Sequence, residues 1–151
     1  MEKLSLPTFD LNIKKSDGKT VIFDIIRKKY LVLTPEEWVR QHFIHYLISE
    51  LGYSKALISV EQGMKYNTLY KRTDIVVYNR QGEPLILIEC KAANHRLNQK
   101  VVEQALMYNK SLNAAYVIIT NGIEHSCLHV VKNQAKIVFL TSIPRFEEII
   151  E

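Results

Sequence analysis

Cysteine is scarce in this chain of 151 residues: Cys90 and Cys127 are its only two. That is too few for a thiolate zinc set or for the disulfide framework of a small secreted domain. Cys90 also lies inside an apolar, strand-like run, so a reduced, cytoplasmic setting is expected. The opening Met1-Glu2-Lys3-Leu4-Ser5-Leu6-Pro7 lacks the apolar region of a signal peptide. No uninterrupted apolar stretch approaches the roughly 20 residues of a membrane span. Internal repeats, low-complexity tracts and a separate linker are missing too, which leaves one domain over residues 1–151 as the expectation.

The residues that are present support a core. A composition 47% hydrophobic and 24% charged excludes wholesale disorder. Folding at this size removes roughly 70% of the extended-chain surface, enough for a sheet covered by helices. Twenty Lys and Arg against sixteen Asp and Glu leave a net charge of +4, which permits a nucleic-acid partner and equally suits an ordinary soluble protein.

Apolar residues at 9–13 and 20–26 flank Ser16-Asp17-Gly18-Lys19, a hairpin turn signal, and predict an N-terminal β-ribbon at about 9–26. Thr34-Pro35-Glu36-Glu37 reads as a helix start, with Thr34 as N-cap, Pro35 in the first position and Glu37 closing a capping box. Val39, Phe43 and Leu47 then recur at helical spacing to about Leu51, and Gly52 ends the helix. Leu57–Glu61 looks like a short strand, whereas 62–71 gives no regular pattern. Thr73–Tyr78 and Leu85–Lys91 read as an antiparallel hairpin. Val101, Val102, Ala105, Leu106 and Asn109 support a helix over about 99–111, and Ala114–Thr120 suits a buried strand before a turn at Asn121-Gly122. Strand, helix, strand suggests a crossover beside the hairpin. Further strands are expected at 127–131 and 137–140, and a terminal helix at 143–151.

Symmetric pairing of the hairpin places Tyr78 opposite Leu85 and Asp74 opposite Glu89, with a bulge able to shift this by one. Period-two alternation adds Lys91 to the side of Glu89 and turns Cys90 away. Two carboxylates placed together call for a cation or a wet cleft. Oxygen ligands on rigid strands suit Mg²⁺, the Cys90 carbonyl is able to complete the set, and Lys91 is able to orient a water, stabilise an attacked phosphate, or both. The chemistry this implies is metal-assisted hydrolysis of a phosphodiester.

Arg72-Thr73-Asp74 followed by Glu89-Cys90-Lys91 resembles the PD-(D/E)xK nuclease superfamily, and within it the N-terminal nuclease domain of type I restriction enzyme R subunits. The segment from Thr34 to Gln41 looks like that family's opening helix, Gln104-Ala105-Leu106-Met107-Tyr108 resembles its Gln-x-x-x-Tyr signature, and Thr120-Asn121-Gly122 matches a frequent strand end. The likeness runs over about residues 20–141. It implies a three-layer α/β/α sandwich around a central mixed sheet, with Asp74 and Glu89 on Mg²⁺ (Mn²⁺ as a substitute) and Lys91 serving the attacking water. It further implies a helical glutamate near the metal, Glu37 or else Glu36. Gln104 would orient groups in the site, and Arg40, Arg72 and Tyr108 would contact phosphate or brace the strands.

Thr73 stands where the motif's name has Pro. The chain holds no Gly-x-x-x-x-Gly-Lys-Ser/Thr phosphate loop and no room for a helicase motor, so it is not expected to translocate DNA itself. The expected partners are DNA, with RNA open, and a second copy or other subunits of a restriction complex. The alternative is a non-catalytic nucleic-acid-binding or assembly protein on the same fold. Plainer roles exist for several residues: Glu37 as a cap, Gln104 and Tyr108 as a packed polar network, Cys90 as a small buried hydrophobe. Lys14-Lys15, Arg27-Lys28-Lys29, Lys65, Lys71-Arg72 and Arg96 fit a nucleic-acid track or scattered surface charge. His42 and His45 are assigned no catalytic role.

Overall fold

The computed structural model describes residues 1–62 and 73–149. Among them, nine strands form two sheets. The first is a ribbon of three strands, β1 (Ile13–Ser16), β2 (Lys19–Asp24) and β3 (Lys29–Val32), in the order β1-β2-β3. Its first turn has both central residues at positive φ, Asp17 at 51° and Gly18 at 77°, the geometry that matches the twist of a two-residue hairpin. The ribbon therefore differs from the expected span of 9–26. Residues 9–12 are not strand because Phe9 packs instead against His42 and His45, with ring centroids 6.2 and 5.6 Å apart. The chain turns again after Asp24, whose Oδ1 accepts the N–H groups of Ile26 and Arg27, and returns as a third strand.

Helix α1 (Pro35–Ser49) starts where the sequence places it, with Thr34 Oγ1 accepting the N–H of Glu37 at 3.0 Å. Only that half of the capping box forms. The Glu37 carboxylate turns to Arg27, Arg40 and Gln41, because charged donors hold a carboxylate more strongly than one backbone N–H does.

The main sheet runs β4 (Ile58–Gln62), β5 (Thr73–Tyr78), β6 (Pro84–Cys90), β7 (Tyr116–Thr120), β8 (His125–Val131) and β9 (Lys136–Leu140) in sequence order. Every neighbouring pair is antiparallel except β6 and β7. A parallel pair needs a long crossover, and helix α2 (Gln99–Leu112) lies in it. A short terminal helix α3 spans Phe146–Ile149.

Alternation divides the core in two. Ile75, Val77, Ile86, Ile88 and Cys90 face α1 and pack with Val39, Phe43, Ile44 and Leu47. Val76, Leu87, Val117 and Ile119 face α2 and pack with Val101 and Ala105. The result is a mixed sheet between two helical layers, as the sequence leads one to expect.

The strand-end turn at Asn121-Gly122 carries tertiary weight. Gly122 has φ +84°, and a Cβ there would lie 2.7 Å from Leu4 Cδ2. Ser5 N donates to Gly122 O at 2.8 Å, so the N-terminal segment is laid on this turn. Gly122→Ala is expected to destabilise by about 1–2 kcal/mol from the left-handed backbone, read as a lower urea midpoint. An unchanged midpoint would mean that turn and Leu4 relax without cost.

Candidate active site

The β5–β6 hairpin sets the site. Ile75, Val76 and Val77 pair with Ile88, Leu87 and Ile86, so the next step of the antiparallel register brings Asp74 opposite Glu89. The expected Tyr78–Leu85 pairing is not found: a bulge beyond Val77 sets Tyr78 opposite Pro84. Pro84 has no N–H to give the ladder, and the irregularity sits at the turn end, leaving the register at the carboxylate end intact.

Asp74 shares the α2 face with Val76, and Glu89 shares it with Leu87. Both carboxyl residues are buried, at 1% and 4% exposure. Lys91 Nζ lies 3.1 Å from Glu89 Oε2, and the Lys91 N–H donates to Thr120 O at 2.8 Å, tying the chain beyond Glu89 to β7. Asn121 holds the following loop by donating from Nδ2 to His95 O at 2.9 Å. The three residues chosen from sequence are thus neighbours on one face.

A third carboxylate joins the row. Glu61 pairs with Asp74 across β4 and β5, so Glu61, Asp74 and Glu89 occupy consecutive strands on the same face. The Tyr78 hydroxyl donates to the Glu61 carboxylate. Burial, that bond and the Glu61 charge push the Tyr78 phenol up to about 12, so it stays a proton donor at neutral pH. Sequence reasoning placed Glu61 on a strand and passed over it, since nothing local reveals which strand β5 adds on its other edge.

The opposite face is organised differently. Glu37 Oε1 accepts from Arg40 at 2.8 Å, and its Oε2 accepts from Arg27 at 3.0 Å and Gln41 at 2.8 Å. Arg40, 3% exposed, also reaches Glu36 Oε1 at 2.6 Å. These are the contacts of a brace between ribbon and helix: Glu37 is held in an ion-pair network on the α1 face, and Arg40 is buried within it. Cys90 points into this layer, and burial pushes its thiol up to about 12, which suits packing and leaves only its backbone carbonyl for a ligand role. Gln104 is exposed on α2, and Tyr108 is partly buried beside the second core cluster. Arg72, Lys65 and Lys71 lie outside the described residues.

Carboxylate oxygens are the ligand type Mg²⁺ prefers, and two of them with a carbonyl and waters satisfy its habit of keeping part of its hydration shell. Asp74 and Glu89 fit that demand. Among the described residues no group of three or more His, Cys, Asp and Glu gathers at metal-binding spacing. A cleft of about 580 Å³ lies at the other end of the hairpin, lined by Arg80, Leu85, Tyr116, His129 and Phe146 among others. It is remote in register from the carboxylates.

The family profile described as Type I restriction enzyme R protein N terminus matches residues 35–144. The chain belongs to this family. The matched span includes α1, the carboxylate hairpin, α2 and the strands beyond, so the R-protein N-terminal family covers all the elements that build the site. The chain is also 40% identical over 52 residues to the type I restriction enzyme EcoAI endonuclease subunit of Escherichia coli, over 34% of this chain and 6% of that subunit. Among the described residues no helix is long and apolar enough to cross a membrane.

Proposed function

We propose that this R-protein N-terminal domain is a Mg²⁺-dependent endonuclease that hydrolyses DNA phosphodiester bonds. The observation that carries the reading is the pair of buried carboxylates, Asp74 and Glu89, on neighbouring strands, with Lys91 held against Glu89. The relative from Escherichia coli is named an endonuclease subunit, which supports the same reaction class. The chain spans only a small part of that protein, so complex formation with other restriction subunits is part of the proposal too.

Asp74, Glu89 and the Cys90 carbonyl would hold the ion, which supplies positive charge to the attacked phosphate oxygens. Lys91 Nζ, a cluster of N–H donors on a flexible stem, aligns a water and donates to the phosphate as negative charge builds. The water oxygen forms a new P–O bond while the opposite P–O bond breaks. The departing alkoxide gains a proton, and the water loses one to solvent. Asn121 and the Lys91–Thr120 bond keep the main chain at this end of β6 from moving while charge is transferred.

The test is cleavage of matched single- and double-stranded DNA by wild type and Glu89→Ala, in Mg²⁺ and in chelator. Products that need Mg²⁺ and vanish in Glu89→Ala are the expected result. Wild-type rates in the variant would overturn the assignment. Salt-sensitive binding without hydrolysis, even beside the other restriction subunits, would instead establish a binding and assembly role.

A further inference from the structure

The net charge of the chain is not spread over its surface. Residues 13–32 carry Lys14, Lys15, Lys19, Arg27, Lys28 and Lys29 against Asp17 and Asp24, and the remaining basic and acidic residues balance. The whole excess of +4 therefore belongs to the ribbon.

The fold then sorts these charges. Asp24 is fully buried, and its Oδ2 takes Arg27 Nε at 2.6 Å and Gln41 Nε2 at 3.0 Å. Arg27 continues to Glu37 at 3.0 Å. The five lysines are exposed and make no ion pair among the described residues. Lys14 lies over the Tyr30 ring at 4.1 Å, and Tyr30 meets Phe23 edge-on at 5.2 Å. By register, Lys14, Lys19, Val21, Phe23 and Tyr30 share one face, while Lys15, Ile22, Asp24 and Lys29 turn to the other. Ile22 and Asp24 are buried and fix the second face to the body, and the first offers the ammonium groups of Lys14 and Lys19 on an aromatic floor.

We propose that the ribbon β1–β3 is a sequence-independent grip for the phosphate backbone of duplex DNA, with Lys14 and Lys19 on its aromatic face and Lys28 in its second turn as its contacts. This rests on the nuclease reading and names the surface that delivers duplex to the site. Lysine supplies point charges without the planar fork that reads bases, so the grip holds the backbone and leaves sequence unread. A membrane surface is a poorer match: the exposed apolar residues Ile13 and Val32 fall on opposite faces, so they make no single apolar side to insert. The Asp24–Arg27–Glu37–Arg40 network joins the ribbon to the first turn of α1. Helix α1 in turn packs against Ile86, Ile88 and Cys90 of β6, the strand that carries Glu89.

The experiment is fluorescence anisotropy of a labelled duplex oligonucleotide in chelator, titrated with NaCl, so that binding is read without cleavage. Each phosphate contact contributes about 0.9 to the slope of log K against log salt. The Lys14→Ala/Lys19→Ala/Lys28→Ala protein should lose about 2–3 units of slope and on the order of 10–100-fold in low-salt affinity. Its charge-keeping counterpart with Arg at the three positions should bind as wild type does. A Lys110→Ala/Lys132→Ala/Lys136→Ala protein, equal in charge loss but elsewhere on the surface, should keep nearly the full slope. Thermal melts of all four proteins check folding.

Equal losses in the two Ala triples, or none in the ribbon triple, overturn the grip. Preference of wild type for phosphatidylserine vesicles over duplex overturns it as well. If the ribbon triple binds like wild type while Glu89-dependent cleavage persists, the grip fails and the nuclease reading stands. If wild type binds through the ribbon and never cleaves, the nuclease reading fails and the grip stands.

Discussion

Asp74→Asn is expected to fold as wild type does and to lose at least about 10³-fold in single-turnover cleavage, which corresponds to about 4 kcal/mol of transition-state stabilisation. The substitution keeps the volume and one oxygen of a residue only 1% exposed, so packing under α2 is preserved. What disappears is a formal negative charge in the middle of the row from Glu61 to Glu89. A hard divalent cation is held chiefly by such charges, and an amide oxygen is a weaker ligand. The change should therefore appear also as a higher Mg²⁺ concentration for half-maximal rate, while the urea midpoint in chelator moves by no more than about 1 kcal/mol. Glu61→Gln provides the comparison. Its carboxylate is held by the Tyr78 hydroxyl, so it is expected to cost far less than Asp74→Asn. Cleavage by Asp74→Asn at the wild-type rate would remove Asp74 from the chemistry, and equal losses in both variants would make Glu61 a full member of the site.

How much of this was legible before the structure depended on whether the information was local. The Thr34 cap and Pro35 mark the start of α1 within a single turn of chain, and the structure begins the helix there. The Asp74–Glu89 register was readable because both residues sit on one hairpin whose turn constrains the pairing. The error at Tyr78 came from treating the turn as symmetric when Pro84 cannot complete a ladder bond. Glu61 was hidden because its relation to Asp74 depends on pairing between segments separated by an unpatterned stretch. Strand β3 was hidden for another reason: Lys28 takes a φ of 56°, a left-handed turn made without the Gly or Asn that normally signals one. Glu37 was chosen in the sequence for a place near the metal or as a cap, and the structure sets its carboxylate in an ion-pair network. Its partners, Arg27 from the ribbon and Arg40 and Gln41 from the helix, emerge only when Asp24 is seen buried between them.

That buried aspartate leads to the second large effect: Asp24→Asn should destabilise the domain by about 3–5 kcal/mol at pH 7, the usual cost of breaking one side of a buried pair. Asp24 is fully buried and accepts two backbone N–H groups, the Arg27 guanidinium and the Gln41 amide. Burial alone would raise its pKa, but the hydrogen bonds from Arg27, Gln41 and Ile26 outweigh burial and hold the carboxyl below its ordinary value of 3.8. An amide side chain would lose the charge and set an N–H or a weaker oxygen against Arg27. The sign of the pH dependence follows from the lowered value. In acid the unfolded chain takes up the proton first, so the stability due to Asp24 is complete above about pH 4 and is lost as pH falls through the folded-state pKa. Urea denaturation of wild type and Asp24→Asn should therefore show a wide gap at pH 7 that narrows toward pH 2–3. A gap independent of pH would mean that packing, not charge, is what Asp24 contributes. Because Asp24 and Arg27 fasten the ribbon to α1, amide exchange in the variant should quicken first in β2 and β3, before the main sheet opens. Uniform quickening across both sheets would show instead that the ribbon unfolds only with the whole domain.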